Sequence, residues 1–128
     1  MAYSSIIKPS TFMNPKIYTG NGGTNAQTGV GFKPDLTWIK NRNASGEGHH
    51  WYDIIRGVTK RIRSDTTAAE TTVSTGLTAF GTDGFTVGST AGVNGNGNKI
   101  VSWNWKAGTS VSGNTSGSGT AKAYSGSV

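Results

Sequence analysis

The amino-acid sequence predicts an all-β fold built from short antiparallel strands. Glycine supplies 20 of the 128 residues, and serine, threonine and asparagine are also abundant. Leucine occurs only at Leu36 and Leu77, although helices favour leucine, alanine, glutamate and lysine. Runs of alternating apolar and polar residues are separated by turns rich in glycine and asparagine. About seven or more such short strands are typical of an antiparallel sandwich or barrel.

The first half of the chain supplies three predicted strands. The earliest ends at Gly20–Gly23, where glycine and asparagine tolerate the positive φ of a tight turn. The second follows a turn at Pro34–Asp35, because proline fixes φ and cannot donate to a strand ladder. The third follows a flexible loop at Ala44–Gly48. These predicted strands are Lys16–Thr19, Leu36–Asn41 and His49–Arg56.

The second half is also dominated by strands. Asp83–Gly84 between two apolar runs is a strong hairpin signal. Thr67–Glu70 matches the spacing of a capping box and predicts one helical turn, and Gly92–Asn98 predicts a loop. In the strand predicted at Thr59–Ser64, lysine and arginine flank Ile62, a pattern that is typical of an exposed edge strand. The predicted strands are Thr59–Ser64, Gly76–Phe80, Gly84–Gly88 and Lys99–Ala107.

The four tryptophans are predicted to supply much of the core. Trp38 and Trp51 lie in the second and third predicted strands, and Trp103 and Trp105 lie in the last one. Each large ring can bury about 150–250 Å². Buried rings would therefore compensate for the scarcity of leucine.

The predicted sandwich domain spans residues 16–108 and is flanked by two segments of different composition. Residues 1–15 lack periodicity and contain two prolines, which predicts an irregular amino-terminal arm. Residues 109–128 are rich in serine and glycine, which predicts a flexible linker to a further module. The amino terminus lacks the pattern of a secretory signal, and no apolar run approaches the roughly 20 residues that cross a bilayer.

The sequence predicts no catalytic or metal-binding constellation. His49, His50 and Asp53 form the most metal-like cluster, but strand alternation places His50 on the face opposite the other two. Two ligands on one face are too few for a closed metal site. Asp53 is instead expected to need a cationic partner, Arg56 or Lys40, if it is buried.

An enzyme is therefore not expected, and no cofactor is predicted. A glycosidase needs two carboxylates about 5 to 9.5 Å apart, and the carboxylates of this chain are scattered. The sequence lacks cysteine, so thiolate chemistry is excluded. The carboxylates are Asp35, Glu47, Asp53, Asp65, Glu70 and Asp83.

A cluster of cations is the strongest charge feature of a chain whose net charge is +6. A cationic surface attracts polyanions, but the chain lacks a recognisable nucleic-acid-binding motif. We therefore interpret the cluster as a solvated strand or a basic contact between subunits, and nucleic-acid binding is not expected. The cations are Arg56, Lys60, Arg61 and Arg63.

Several motifs together resemble a module that recurs in structural proteins of phages and prophages. The resemblance spans residues 16–108 and is to tail-fibre-like and appendage proteins of phages that infect marine bacteria and cyanobacteria. It implies a β-sandwich of lectin-like or jelly-roll type, and it brings no catalytic residue with it. The motifs are Gly31–Arg42, Tyr52–Asp53 with Arg56–Gly57, Thr67–Glu70, Gly76–Thr78 with Phe80, Asp83–Gly88 and Val101–Gly108.

The resemblance implies a virion structural protein, namely a tail-fibre or appendage-type subunit attached to a bacteriophage particle. The alternatives are a glycan-binding module that recognises the host surface and a capsid decoration protein. Other virion proteins and further copies of the chain are the expected partners, in a homotrimer by analogy with similar appendages. Apolar residues of the amino-terminal arm are predicted to attach the subunit to the particle. They are Ile6, Ile7, Phe12 and Met13.

Overall fold

The structure is a computed structural model that describes residues 8–107 and, beyond them, the strands at 110–113 and 124–127. Its regular elements are almost all strands, and the strand pairs are antiparallel, so the predicted all-β antiparallel fold is confirmed. No helix within these ranges has the length and apolar character needed to cross a membrane.

Eleven strands and two short helical segments are described. The helical segments are a 3-10 turn at Pro9–Thr11 and the four-residue helix α1 at Ala91–Asn94. In chain order the strands are β1 (Met13–Thr19), β2 (Asn25–Gln27), β3 (Leu36–Asn41), β4 (His49–Asp53), β5 (Lys60–Arg61), β6 (Thr71–Thr72), β7 (Leu77–Gly81), β8 (Gly84–Val87), β9 (Lys99–Trp105), β10 (Ser110–Gly113) and β11 (Tyr124–Ser127).

Two sheets enclose the core. The larger sheet has four strands in the order β1-β9-β3-β4, and the smaller has three in the order β2-β8-β7. Tyr18 of β1 meets Phe85 of β8 edge to face, with ring centroids 6.2 Å apart. The buried apolar side chains are Tyr18, Val30, Phe32, Ile39, Tyr52, Leu77, Phe85, Val87, Val93 and Ile100.

The prediction that tryptophans supply the core is wrong. Along β9 the buried residues are Ile100, Ser102 and Asn104, whereas Trp103 and Trp105 point to the opposite side and are half-buried. Some polar atoms on the inner face find partners there, although Thr37 Oγ1 and Asn104 Oδ1 are buried with none among the described atoms. Asn104 Nδ2, for example, donates to the Asn14 carbonyl at 3.0 Å and to Ser102 Oγ at 3.1 Å.

Of the predicted strands only Leu36–Asn41 keeps its bounds, and Thr59–Ser64 shortens the most, to Lys60–Arg61. β1 begins at Met13, so that the last residues of the predicted arm pair with β9. β4 ends at Asp53 instead of Arg56, because the Asp53 carboxylate accepts the Ile55 and Arg56 amides and turns the chain.

The helical turn predicted at Thr67–Glu70 is wrong, since these residues lie in irregular backbone. The short helix instead occupies Ala91–Asn94, which overlaps the loop predicted at Gly92–Asn98. The predicted hairpin at Asp83–Gly84 is confirmed, because β7 and β8 pair up to Gly81 and Gly84. Beyond the domain, β10 and β11 pair with each other in the stretch that was predicted to be a linker.

Candidate functional site

All four tryptophans lie on the outward face of the larger sheet. Trp38 of β3 pairs with Trp51 of β4 on one side and with Trp103 of β9 on the other. Pro15 of β1 pairs with Trp103, so one row of large side chains crosses all four strands. Paired residues of antiparallel strands point to the same face. We call this surface the tryptophan face, and it comprises Trp38, Trp51, Trp103 and Trp105 with Pro15, Ile17, Leu36 and Val101.

The indoles of the tryptophan face stack on one another. The rings of Trp38 and Trp51 are 4.8 Å apart between centroids and inclined by only 11°. Trp103 lies 4.5 Å from the other side of Trp38, at 33°, and Trp105 is nearly parallel to Trp51 at 6.3 Å. Both ring faces of Trp38 are therefore covered by neighbouring indoles.

Hydrogen bonds hold two of these rings in place. Trp38 Nε1 donates to His49 Nδ1 at 3.0 Å, which places the proton of a neutral His49 on Nε2. Trp51 Nε1 donates to Ser64 Oγ, also at 3.0 Å. Two of the four indole donors of the tryptophan face are thus already used within the chain.

Exposed aliphatic side chains extend the tryptophan face on both sides. Ile17 of β1 is 66% exposed, and Ile62 is 40% exposed. Ile62 is joined to the sheet because it exchanges backbone hydrogen bonds with Trp51. The apolar surface therefore continues from β1, across the sheet, to the strand that follows the turn after β4.

A shallow depression lies where the tryptophan face meets this turn. It has a volume of about 270 Å³, and Leu36, Trp51 and Ile62 form its apolar lining. Asp53, Arg56 and Ser64 complete the lining. An apolar hollow with a few polar groups fits an aliphatic or aromatic side chain of a partner.

The turn beside the depression is ordered by Asp53. The carboxylate accepts the backbone amides of Ile55 at 3.0 Å and Arg56 at 2.9 Å, and it pairs with Arg56 Nε at 2.5 Å. Burial acts to raise the pKa of Asp53, but the hydrogen bonds and charge of Arg56 outweigh it and lower that pKa. The predicted pairing of Asp53 with Arg56 is confirmed, and Lys40 instead donates to backbone carbonyls.

Much of the predicted basic contact is neutralised within the chain. Arg56 pairs with Asp53 and lies 3.5 Å from a Glu70 oxygen, and Arg63 pairs with Asp65 at 2.6 Å. The structure thus turns most of the cluster into internal ion pairs and hydrogen bonds. Of the remaining cations, Lys60 donates to Thr72 Oγ1 at 2.8 Å, and Arg61 Nε is buried with no partner among the described atoms.

The predicted attachment residues fall in different places. Met13 lies in β1 opposite Trp105, at one end of the tryptophan face. Phe12 precedes β1 and is 39% exposed. Ile6 and Ile7 lie outside the described residues. Of the predicted attachment residues, Met13 therefore lies next to the tryptophan face.

The described residues offer no group of three histidine or carboxylate side chains that could hold a metal ion. His49 accepts from Trp38, and His50 is buried on the opposite face of β4. Asp83 and Asp35 bind backbone amides that are distant in the sequence. Asp83 accepts from Gly29 and Gly31, and Asp35 accepts from Ala107.

A family model described as "Domain of unknown function (DUF7483)" matches residues 8–126. The chain belongs to the DUF7483 family. The matched range contains both sheets, the tryptophan face and the depression. No curated protein and no solved structure matches the chain. The family assignment carries no activity, so the resemblance to phage appendage modules stays a prediction.

Proposed function

We propose that the chain is a structural subunit of a bacteriophage particle, of tail-fibre or appendage type, and that its tryptophan face binds a neighbouring protein. The tryptophan face is the observation that carries this proposal. Soluble proteins seldom expose a contiguous apolar surface of this kind unless it is a contact site. The phage context comes from the resemblance of the sequence motifs.

The composition of the tryptophan face supports a protein contact. Tryptophan and arginine are enriched among the residues that dominate interface energies, and the centre of an interface is depleted in charge. Trp38 lies at the centre of the row, and charged side chains such as Asp53 and Arg56 lie at its margin. A polar margin around an apolar centre is the usual anatomy of an interface.

The stacking of the indoles argues against the glycan-binding alternative at this face. Sugar rings pack their C–H groups on an open aromatic face, because that face carries the negative part of the ring quadrupole. Both faces of Trp38 are covered by neighbouring indoles. At Trp38, in the middle of the row, no open ring face is therefore left for a sugar.

The charged groups support a role without catalysis. Asp53 and Asp65 each pair with an arginine, and Asp83 accepts two backbone amides. Carboxylates held in this way are ionised and structurally committed, whereas a general acid needs a raised pKa. Hydrogen bonds from the Arg63 side chain and the His49 amide lower the pKa of Asp65, whereas a general acid would need it raised.

The test compares two tagged variants in purified phage particles. Trp103→Gln changes the centre of the tryptophan face, and Ala79→Gln makes a matched change at an exposed position of the smaller sheet. We expect the wild type and Ala79→Gln in the particle, and a roughly tenfold or greater loss of Trp103→Gln, as for a hot-spot residue.

Circular dichroism of the isolated variants shows whether each remains folded. Absence of the wild-type chain from particles would refute the proposal, and so would full incorporation of folded Trp103→Gln. Labelling of the tag in intact particles shows where the chain lies, and so distinguishes a fibre or appendage subunit from a capsid decoration protein.

A further inference from the structure

The tryptophan face carries cations at one of its ends. Lys40 of β3 pairs with Val101 of β9, so the two side chains emerge on the same face of the sheet. Lys99, the exposed first residue of β9, is two residues from Val101 and lies on that face as well. Lys99 also pairs with Thr19 of β1, and its Nζ donates to Thr19 Oγ1 at 2.9 Å. Both lysines therefore belong to the outward side of the larger sheet.

Arg42 adds a third cation at this end. It is exposed, directly follows β3, and its amide donates to the Lys99 carbonyl at 2.8 Å. We call Lys40, Arg42 and Lys99 the basic end of the tryptophan face. The ion pairs of the described residues involve the cations Arg56 and Arg63, and none involves the basic end.

The carboxylates of the neighbouring loops are engaged elsewhere. The Glu47 carboxylate lies against α1 beside the imidazole of His50, which is buried on the inner face of β4. Asp65 pairs with Arg63 at 2.6 Å. Lys40 Nζ donates to two backbone carbonyls, which carry no net charge. The basic end therefore keeps its positive charge.

The row of side chains at the opposite end of the tryptophan face is neutral. There Trp105 pairs with Met13 on one side and with Leu36 on the other. Leu36 in turn pairs with Asp53, whose charge is balanced by Arg56. The outward face thus has an apolar centre, one neutral end and one basic end. Charges placed at one end only favour a single orientation of a bound partner.

We infer that the tryptophan face binds a protein segment whose apolar side chains are followed, at one end, by aspartate or glutamate, and that these carboxylates lie on the basic end. The inference rests on the proposed function, because it gives the chemistry of the neighbouring protein. A cation covered by a purely apolar partner would lose water without gaining a counter-charge. Trp103 and Lys99 are four residues apart on β9, so the carboxylates are expected about 13 Å from the centre of the row.

The distribution of charge favours a protein over a nucleic acid or an anionic glycan. A polyanion carries charge along its whole length, about one per 1.7 Å of helix axis in double-stranded DNA. Its binding surface therefore needs cations throughout. The central row of the tryptophan face, formed by Pro15, Trp103, Trp38 and Trp51, has no charged side chain.

The first experiment treats purified particles that contain the chain with a carbodiimide, which joins an amine to a carboxylate that contacts it. We expect mass spectrometry to identify a peptide that links Lys99 to an aspartate or glutamate of a neighbouring virion protein. Lys16 is the internal control, because it pairs with the buried Ser102 and so lies on the inner side of β1. It should form no such link.

The second experiment compares the incorporation of tagged Lys99→Glu and Lys16→Glu chains into particles. The two variants change the net charge equally and lie on adjacent strands, but only Lys99 lies on the outward face. We expect a loss of Lys99→Glu of about tenfold or more, because like charges that meet across an interface are strongly unfavourable. Lys16→Glu should be incorporated like the wild type, and a change of the cross-linked carboxylate to lysine should restore Lys99→Glu.

Particles that contain the chain but give no cross-link at Lys99 would overturn the inference, and this includes binding to an anionic glycan or a nucleic acid. Equal incorporation of folded Lys99→Glu and Lys16→Glu would overturn it as well. The cross-link needs no variant and therefore decides even if a variant misfolds. Retention of Lys99→Glu together with loss of Trp103→Gln would refute the acidic partner alone, whereas absence of the wild-type chain from particles would refute the proposed function.

Discussion

At the scale of single residues, His50 shows how a polar side chain is kept inside this domain. It lies on the inner face of β4, is 2% exposed, and its Nδ1 has no hydrogen-bond partner among the described atoms. Burial lowers the pKa of His50 to about 4, and the nearby Arg61 and Arg63 add to this effect. The folded chain therefore holds His50 neutral. The other charged groups around it are Lys40, Asp65 and Glu47.

This pKa predicts that the folded state loses stability as the pH is lowered from 7, before the carboxylates begin to titrate. The unfolded chain protonates His50 near pH 6.5, whereas the folded chain does so only near pH 4. Between these values the unfolded state binds more protons, so acid favours unfolding. We expect the free energy of unfolding to drop by about 3 kcal/mol from pH 7 to pH 4 through this group.

Denaturant unfolding at a series of pH values measures this slope, with His50→Gln as the control. Glutamine is polar but does not titrate, so the variant should be nearly flat between pH 6.5 and pH 5. Equal slopes for the two proteins would show that His50 is not the group responsible.

At the scale of elements, the helix α1 depends on one asparagine. Asn94 is fully buried, and its Nδ2 donates to Asn21 Oδ1 and to the carbonyls of Gly23 and Gly88, at 2.6 to 2.9 Å. Its Oδ1 accepts from the Asn21 amide and from Asn25 Nδ2. One side chain thus joins the helix to the turn after β1 and to the end of β8.

We expect Asn94→Ala to destabilise the domain by about 2–4 kcal/mol, because it removes several hydrogen bonds and leaves buried partners unsatisfied. Asn96→Ala is the matched control, since Asn96 is exposed two residues later. Thermal or denaturant unfolding compares the two. A loss for Asn94→Ala as small as that for Asn96→Ala would contradict the role of Asn94.

Sequence patterns predicted which residues share a strand face but not which face is inside. Alternation along β9 puts Trp103 and Trp105 on one face, and hydrophobicity alone then predicted that they lie in the core. The structure buries Ser102 and Asn104 instead, because partners such as the Asn14 carbonyl come from distant parts of the chain. Such partners are set by the tertiary fold and cannot be derived from one strand.

Local signals were more successful where one short segment determines the geometry. The Asp83–Gly84 hairpin and the pairing of Asp53 with Arg56 both involve residues close in sequence. The depression could not be predicted, since it needs Leu36 of β3, Trp51 of β4 and Ile62 beyond the turn together.

At the scale of the whole molecule, the larger sheet has apolar side chains on both faces. The inner face packs against the smaller sheet through contacts such as that of Tyr18 with Phe85. The outward face carries the stacked tryptophans, and the described residues place no second layer over it. A sheet with two apolar faces is expected to be covered on both, and we propose that a neighbouring protein covers the outward one.

Hydroxyl-radical footprinting with mass spectrometry tests this claim most directly, because it reports the accessibility of each side chain before and after assembly. The account predicts that Trp38, Trp51, Trp103 and Trp105 are oxidised in the dilute free chain and protected in the assembled state. Core residues such as Leu77 should be protected in both. Tryptophans that are protected in the free monomer, or oxidised equally in both states, would contradict a contact through the tryptophan face.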